Sequence, residues 1–264
     1  MKAFSPQNPL VLVGAGKMGG AMLAGWLDKG LDPAATIVIE PSPDPEDDAL
    51  SRVSVVGAAP SVAARAIILA VKPHQIVKVL PTLAPCRTTE TLVISVAAGR
   101  PLDSLGPPPV VRVMPNTPAS IGEGALVAIG KGVSDGDVAV TNALLTATGK
   151  VWWIEDEALM DAVTAVSGSG PAYLFHLAEC LGEAGRAAGL PDELAADLAR
   201  QTVVGSAALL GRSPLDPGTL RANVTSKGGT TAAALGVLRD SGALSRLMTE
   251  AVTAAAKRSK ELGA

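Results

Sequence analysis

Three glycines near the N-terminus have the spacing of a phosphate-binding turn. Gly14, Gly16 and Gly19 form a G-x-G-x-x-G pattern directly after an apolar run and directly before a helical pattern. In that setting the first glycine permits a tight turn, the second lets the backbone approach a pyrophosphate, and the third lets the helix pack closely on the strand. The free N–H groups at the helix start favour an anion. The pattern therefore predicts a dinucleotide site made by Gly14, Ala15, Gly16, Lys17, Met18 and Gly19.

An acidic residue stands where such a site usually binds the adenosine ribose. Glu40 ends the second apolar run, 21 residues after Gly19, and an acid at this place commonly bonds the ribose hydroxyls of NAD. Ser42, in the turn that follows, is able to hydrogen-bond a 2′-phosphate, although no arginine adjoins it. Both residues are predicted cofactor ligands, and the sequence leaves the choice between NADPH and NADH open.

A second loop rich in glycine and hydroxyl groups lies near the C-terminus. It contains Ser226, Gly228, Gly229, Thr230 and Thr231 and precedes a helical pattern. We expect Thr230 or Thr231 to cap that helix. With no strand before it, the loop suits one carboxylate better than a pyrophosphate. An ordinary turn between two helices accounts for the same pattern, so this loop alone does not decide between the two interpretations.

The elements that must position these residues differ between the two halves of the chain. In the first half, short apolar runs alternate with helical segments, which indicates βαβ units and a mostly parallel sheet. We predict helices over 18–29 and 47–52, and strands over 10–13, 36–40, 53–56, 66–71, 91–96, 110–114 and 125–129.

From Glu155 onward only helical patterns are found. Clusters of glycine and proline separate them, as helix punctuation requires. The chain is thus predicted to have an α/β Rossmann-like N-terminal domain over 1–154, which binds the dinucleotide, and an all-α domain over 155–264. The predicted helices of the second domain are 155–166, 171–188, 191–210, 214–224, 231–239 and 243–262.

Composition excludes several classes of function. The 264 residues include 22 Lys and Arg and 25 Asp and Glu, which gives a formal net charge of −3. This composition does not supply the excess of positive charge that nucleic-acid binding depends on. No apolar run approaches the ~18–20 residues of a membrane span. Cys86 and Cys180 lack metal-ligand spacing, so we expect no metal site and a cytoplasmic location. Aromatic residues make up only 2%; a core of small side chains favours further burial in an oligomer.

Taken in order, these segments resemble those of the pyrroline-5-carboxylate reductase family. The resemblance covers essentially the whole chain, and the strings around residues 112–118 and 166–173 are far more specific than the glycine pattern. One departure is Lys227, where the family usually has proline, and another is a short segment over 41–60. The matching strings are VGAGKMG at 13–19, AVKP at 70–73, SVAAG at 95–99, RVMPNTP at 112–118, VSGSGPAY at 166–173 and VTSKGGTT at 224–231.

The resemblance implies reduction of the C=N bond of 1-pyrroline-5-carboxylate by NADPH or NADH, which gives L-proline. It implies a helical domain that forms a homodimer, with decamers common in the family, and a substrate site between one subunit's nicotinamide and the partner's helical domain. Residues of the late loop then hold the substrate: Ser226, Gly229, Thr230 and Thr231. The strand ends lie along the cofactor, through Ala70, Val71, Lys72, Ala97, Met114, Pro115 and Asn116.

Hydride transfer to a cyclic imine requires positioning more than a strong acid, because the imine can arrive protonated. Thr231 is the leading candidate to hydrogen-bond the ring nitrogen or the carboxylate and is our predicted catalytic residue. For Asn116, stabilisation of its own turn is an alternative to cofactor contact.

Two rival interpretations are weaker. A β-hydroxyacid dehydrogenase needs a lysine early in the second domain, and residues 155–190 contain none. A sensor protein that kept the fold and lost the chemistry would not need an intact loop at 226–231.

Overall fold

The computed structural model describes residues 3–263. By their internal packing, the described residues form two compact units. Unit 1 contains residues 3–168 together with 255–263, and unit 2 contains residues 169–254. The predicted functional division after residue 154 stays a prediction.

Unit 1 is built on one eight-stranded sheet with the order β3-β2-β1-β4-β5-β6-β7-β8. Strands β1 to β6 are parallel, β7 runs antiparallel to β6, and β8 pairs parallel with β7. The predicted mostly parallel sheet is thus confirmed. The strands are β1 Leu10–Val13, β2 Thr36–Ile39, β3 Ser54–Val56, β4 Ala66–Leu69, β5 Leu92–Ser95, β6 Val110–Met114, β7 Gly124–Lys131 and β8 Gly149–Trp153.

Alternate residues of the central strands enter two different apolar clusters, one on each face of the sheet. Leu10 and Leu12 of β1 join the cluster that includes Trp26, whereas Val11 and Val13 join the other. Because both faces are covered, β1 and β4 are apolar throughout, which is why they were visible in the sequence.

The helices of unit 1 that precede residue 169 have at most 12 residues, whereas the helix over Gly170–Ala187 of unit 2 has 18 and the one over Asp192–Arg212 has 21. Those of unit 1 are α1 Lys17–Asp28, α2 Asp48–Ser51, α3 Ile76–Val79, α4 Asp135–Leu145 and α5 Met160–Val163. Helix α4 and strand β8 were not predicted. Strand β8 lies at the sheet edge, and its residues alternate between half buried and exposed even though Val151, Trp152 and Trp153 are all apolar.

The predicted continuous helix over 155–166 is wrong in detail. A 3₁₀ turn over Glu157–Leu159 precedes α5, and a π-helical turn over Thr164–Gly168 follows it. The Thr164 and Ser167 hydroxyls donate to the carbonyls of Met160 and Val163, 2.8 and 2.9 Å away. Such bonds to the preceding turn commonly bend helices.

The remaining helices agree with the predicted ones to within three residues at each end. They are α6 Gly170–Ala187, α7 Asp192–Arg212, α8 Pro217–Asn223, α9 Thr230–Arg239 and α10 Ala243–Gly263. Helices α6 to α9 and the first half of α10 belong to unit 2. The last turns of α10 belong to unit 1, where the Ser259 hydroxyl lies 2.7 Å from an Asp161 carboxylate oxygen.

Candidate functional site

The glycine-rich turn of unit 1 has the conformation that its three glycines suggested. Gly14 has φ of +90°, and a Cβ there would lie 3.0 Å from the Ala70 carbonyl oxygen and from a Val71 methyl group. A side chain on Gly19 would collide with the carbonyl oxygen of Gly14. A Cβ on Gly16, by contrast, would meet no atom within 4 Å. Gly14 and Gly19 are therefore required by the fold, whereas Gly16 leaves open space.

That open space lies at the N-terminus of α1. Gly16 is the N-cap residue, no side chain caps the helix, and its first turn carries no acidic residue. The positive end of the helix dipole therefore faces an open cleft of about 540 Å³. A pyrophosphate approaching Gly16 would find the space and the polarity that it needs, so the residues present suit a dinucleotide.

Glu40 lies at the rim of the same cleft and is held on both sides. One carboxylate oxygen accepts the Ala15 N–H at 3.0 Å and the other accepts the Ser42 N–H at 3.1 Å. The carboxylate thus joins the turn after β1 to the turn after β2. Ser42 and Lys17 line this cleft as well.

A second cavity, of about 460 Å³, adjoins Gly14 and Glu40. Its walls are mainly apolar and include Ile39, Val71 and Val79, together with the small residues at 57–59. A flat apolar ring system suits such walls. The sequence interpretation missed this cavity, because residues 57–59 and 79 come from loops and a short helix whose meeting point depends on the sheet order. The run of small residues Gly57, Ala58 and Ala59 directly after β3 was the feature of the sequence that could have indicated this cavity.

The other predicted cofactor residues follow the parallel strands of the same edge. Ala70 lies against the glycine turn, with its Cβ 3.1 Å from where a Cβ on Gly19 would be. Lys72 is exposed and begins the 3₁₀ turn over Pro73–Gln75. Ala97 follows β5, and β6 ends three strands from β1, about 15 Å along the edge at ~4.8 Å per strand. An extended dinucleotide has this reach.

Asn116, just after β6, is occupied by backbone groups. Its side-chain oxygen accepts the Ala125 N–H at 2.8 Å, and its amide nitrogen donates to the Ser167 carbonyl at 3.1 Å. Met114 contacts Gly168, where a side chain would collide with the methionine methyl group. Pro115 between them is buried. This segment fixes the π-helical turn against the strand end.

The loop over 224–231 belongs to unit 2 and is shaped by its glycines. Gly228 has φ of +74°, and a side chain on Gly229 would collide with the Ser226 hydroxyl. Gly229 itself is the N-cap of α9, and no side chain caps the helix. The expected cap by Thr230 or Thr231 is therefore wrong. Both threonines stand in the first turn instead, with Thr231 half buried and Thr230 and Ser226 exposed.

Within the part of the chain that the structure describes, no three His, Cys, Asp or Glu side chains are grouped so that they could hold a metal ion. Cys86 is buried and Cys180 exposed, and both are free thiols. No described helix is long and apolar enough to cross a membrane.

The parallel sheet, the glycine turn at its first crossover and the acidic residue after β2 define a dinucleotide-binding fold of the Rossmann type. Residues 9–99 match the family model described as NADP oxidoreductase coenzyme F420-dependent. Residues 157–262 match the family model described as pyrroline-5-carboxylate reductase dimerisation.

Similar proteins match along the whole chain. A pyrroline-5-carboxylate reductase of Pisum sativum is 39% identical over 98% of this chain and 97% of its own, and one of Pseudomonas aeruginosa is 40% identical over 96% of both. The solved structure of a pyrroline-5-carboxylate reductase from Coxiella burnetii is 35% identical, with a TM-score of 0.89 over 98% of this chain and 99% of that one. A pyrroline carboxylate reductase from Plasmodium falciparum with NADP bound is 30% identical, with a TM-score of 0.81 over the same shares. The chain belongs to the pyrroline-5-carboxylate reductase family.

Proposed function

We infer that this protein is an oxidoreductase that reduces 1-pyrroline-5-carboxylate to L-proline, the last step of proline biosynthesis. NADPH or NADH supplies the hydride when bound. The observation that carries this inference is the family match along the full chain, together with a glycine turn whose open position faces a cleft at the start of α1.

We assign the cofactor to the strand ends of unit 1. The backbone of residues 14–19 holds the pyrophosphate at the start of α1, and Glu40 and Ser42 face the adenosine ribose. The residues that follow β4, β5 and β6 hold the nicotinamide half, and these are Ala70, Val71, Lys72, Ala97, Met114, Pro115 and Asn116. Because both ends of the Asn116 amide already bond backbone groups, its contribution is to fix the loop that the cofactor contacts.

We assign the substrate carboxylate to the start of α9. The first turn after Gly229 has backbone N–H groups that no side chain caps, and Ser226, Thr230 and Thr231 add hydroxyl groups. Thr231 is the residue we propose as catalytic, because its half-buried hydroxyl follows that start by two residues. A hydrogen bond from it to the ring nitrogen or the carboxylate would orient the C=N carbon towards the hydride donor.

This chemistry needs no protein acid if the imine arrives protonated. The positions of the two histidines are consistent with a reaction that uses no protein acid. His74 is exposed beside Pro73, and His176 is exposed on α6, where it contacts Glu179 at 3.1 Å. Neither pairs with a carboxylate in a buried site.

We propose that the protein is a homodimer built through its helical domain, which we assign to residues 155–264, with the dinucleotide-binding domain over 1–154. An open groove of about 950 Å³ runs between α6 and α7 and is lined by Leu174, Phe175 and Val204. Leu177, Leu181, Leu194 and Leu198 of the same helices are exposed as well. Apolar exposure on this scale indicates an interface, and the dimerisation family model covers both helices.

Dimers of the family commonly assemble further, and we propose a decamer here. We also propose a cytoplasmic location, which agrees with the two free thiols.

The test is an assay of the purified protein with 1-pyrroline-5-carboxylate and either reduced cofactor, following the loss of cofactor absorbance. We expect turnover and proline as the product. No proline formation with either cofactor would refute the proposal, and oxidation of β-hydroxyacids with NAD or NADP instead would favour the rival dehydrogenase. Binding of a dinucleotide without any turnover would point to a sensor.

A further inference from the structure

The Glu40 carboxylate has very little freedom to move. It bonds the Ala15 N–H with one oxygen and the Ser42 N–H with the other, at 3.0 and 3.1 Å. Its own backbone N–H donates to the Val56 carbonyl at 3.0 Å, which fixes the residue between β1 and β3. Turning the side chain away from the cleft would break both of its hydrogen bonds.

Two further carboxylates line the same cleft. Asp44 is exposed, whereas Asp47 is held because one of its oxygens accepts the N–H groups of Ala49 and Leu50 at the start of α2. The other Asp47 oxygen lies 3.4 Å from where a Cβ on Gly20 would be, which places it beside the first turns of α1. Glu40 and Asp47 therefore lie on two sides of the cleft, beside Ala15 and Gly20.

Positive charge is scarce at the same place. Lys17 is the cationic residue among those that line the cleft, and it is exposed. Arg52 follows α2 but contacts Asp28, 3.4 Å away, and does not line the cleft. No guanidinium is thus available there for a phosphate, and Arg is the side chain that best matches phosphate geometry.

A ribose that carries free hydroxyls and a ribose that carries a 2′-phosphate place opposite demands on this site. The hydroxyls are donors, and a fixed carboxylate is a strong acceptor for them. A phosphate monoester carries about −1.5 to −2 charges and is repelled by nearby carboxylates. Ser42 and the exposed Lys17 would offer one neutral and one cationic donor against three carboxylates.

We propose that this enzyme is selective for NADH and that Glu40 is the residue that excludes NADPH. The proposal rests on the proposed function, because it assigns the cofactor of that same reaction.

The first measurement is the dissociation constant of each cofactor for the wild-type protein, by titration calorimetry. ADP-ribose and its 2′-phosphorylated form isolate the contribution of the adenosine half. We expect NADH and ADP-ribose to bind at least about tenfold more tightly than their 2′-phosphorylated counterparts, a ratio that one unfavourable charged contact readily produces. Equal affinities, or tighter binding of NADPH, would overturn the proposal.

The second measurement uses Glu40→Gln, which keeps the shape and one acceptor oxygen but removes the charge. We expect the preference for NADH in dissociation constants and in kcat/KM to fall at least about tenfold, mainly through a gain in NADPH binding. A purely structural Glu40 would weaken both cofactors equally, and that result would contradict the proposal. Asp44→Asn should shift the ratio in the same direction by less, and it keeps the test valid if Glu40→Gln is unstable.

The matched control is Asp48→Asn, an exposed carboxylate in the first turn of α2 that does not line the cleft. The NADH preference should stay unchanged. If it falls as much as with Glu40→Gln, overall charge and not Glu40 sets the preference, and the assignment is wrong. If neither cofactor binds to the folded wild-type protein, the proposed function fails instead.

Discussion

The two units of this chain solve the problem of burial in different ways. Unit 1 covers both faces of its sheet, and side chains such as Trp26, Ile67 and Leu92 are fully buried. In residues 169–254, all of which the structure describes, the buried residues are Gly182, Ala195 and Ala199. Small residues let α6 and α7 approach closely, but they leave the large apolar side chains of both helices outside. Unit 1 therefore has its own core, whereas the large apolar side chains of unit 2 stay exposed in the single chain, which supports the proposed dimer.

The largest effect should come from a charge placed in the groove of unit 2. Phe175 is 65% exposed in the single chain and lines the groove between α6 and α7. We expect Phe175→Glu to dissociate the dimer and lower kcat/KM by at least about 100-fold, because a buried aromatic anchor is lost and a charge is left in an apolar interface. Sedimentation and the reductase assay measure both effects.

The control for Phe175→Glu is the replacement of an exposed apolar residue of unit 1 by glutamate. Val77 of α3 is 59% exposed. Val77→Glu should leave both the mass of the assembly in sedimentation and the reductase activity unchanged. A dimer that survives Phe175→Glu would show that unit 2 does not find its core in this groove.

The next effect concerns the substrate loop in unit 2. Thr231→Ala should lower kcat/KM by about 10-fold to 1000-fold, because one positioned hydrogen bond is removed. The dissociation constants of the cofactors should not change, since the residues proposed to bind the cofactor belong to unit 1. Thr249→Ala is the control, because that hydroxyl donates only to the Ser245 carbonyl along the exposed α10. Full activity of Thr231→Ala would remove this residue from the mechanism.

Two glycines of unit 1 should separate folding from binding. Gly19→Ala places a methyl group against the Gly14 carbonyl oxygen, and we expect a loss of about 1–3 kcal/mol in the free energy of unfolding. Gly16→Ala meets no protein atom within 4 Å; it should leave the unfolding free energy nearly unchanged and weaken cofactor binding at least about tenfold. Urea unfolding measures the free energy of unfolding of both variants, and calorimetry measures their cofactor dissociation constants. A stable Gly19→Ala would mean that α1 is not packed as tightly on the turn as the structure has it.

The smallest effect depends on pH and contrasts one carboxylate from each unit. Burial by itself would raise the pKa of the Asp137 carboxyl, but hydrogen bonds from the Ser134 N–H and hydroxyl, together with the Arg65 guanidinium at 2.9 Å, hold it below its ordinary value. The stabilisation is complete above the unfolded pKa of about 3.9 and is lost as the pH falls through the folded pKa. Asp137→Asn should therefore cost about 1–2 kcal/mol at pH 7, and less below pH ~4.

The matching residue of unit 2 is Asp216, the N-cap of α8. The Thr219 hydroxyl lowers the pKa of its carboxyl, but the residue is exposed. Asp216→Asn should change the unfolding free energy less than Asp137→Asn, because asparagine caps a helix about as well. Unfolding at pH 7 and at pH 3 checks both variants, and a pH-independent loss for Asp137→Asn would contradict the ionic argument.

Much of unit 1 could be predicted because its signals are local. Strands β1 and β4 are continuous apolar runs, and the turn at Gly14 follows from spacing alone. Strand β8 was missed although Val151, Trp152 and Trp153 form an apolar run, because its place at the sheet edge beside β7 depends on the tertiary structure. The threonine cap of α9 was misjudged because the N-cap is Gly229, one residue before Thr230, and glycine has no side chain to cap the helix.

The amino-acid sequence by itself determined the fold class, the glycine turn and the membership of a reductase family, since each depends on residue types at fixed spacings. Tertiary structure alone decided that Glu40 is fastened by Ala15 and Ser42, that Asp47 lies beside α1, and that Asn116 is occupied by Ala125 and Ser167. The bonds of Glu40 to Ala15 and of Asn116 to Ser167 join segments 25 and 51 residues apart, and their distances are set by the order of strands in the sheet. No local pattern encodes that order, because pairing between strands depends on the burial of the whole sheet.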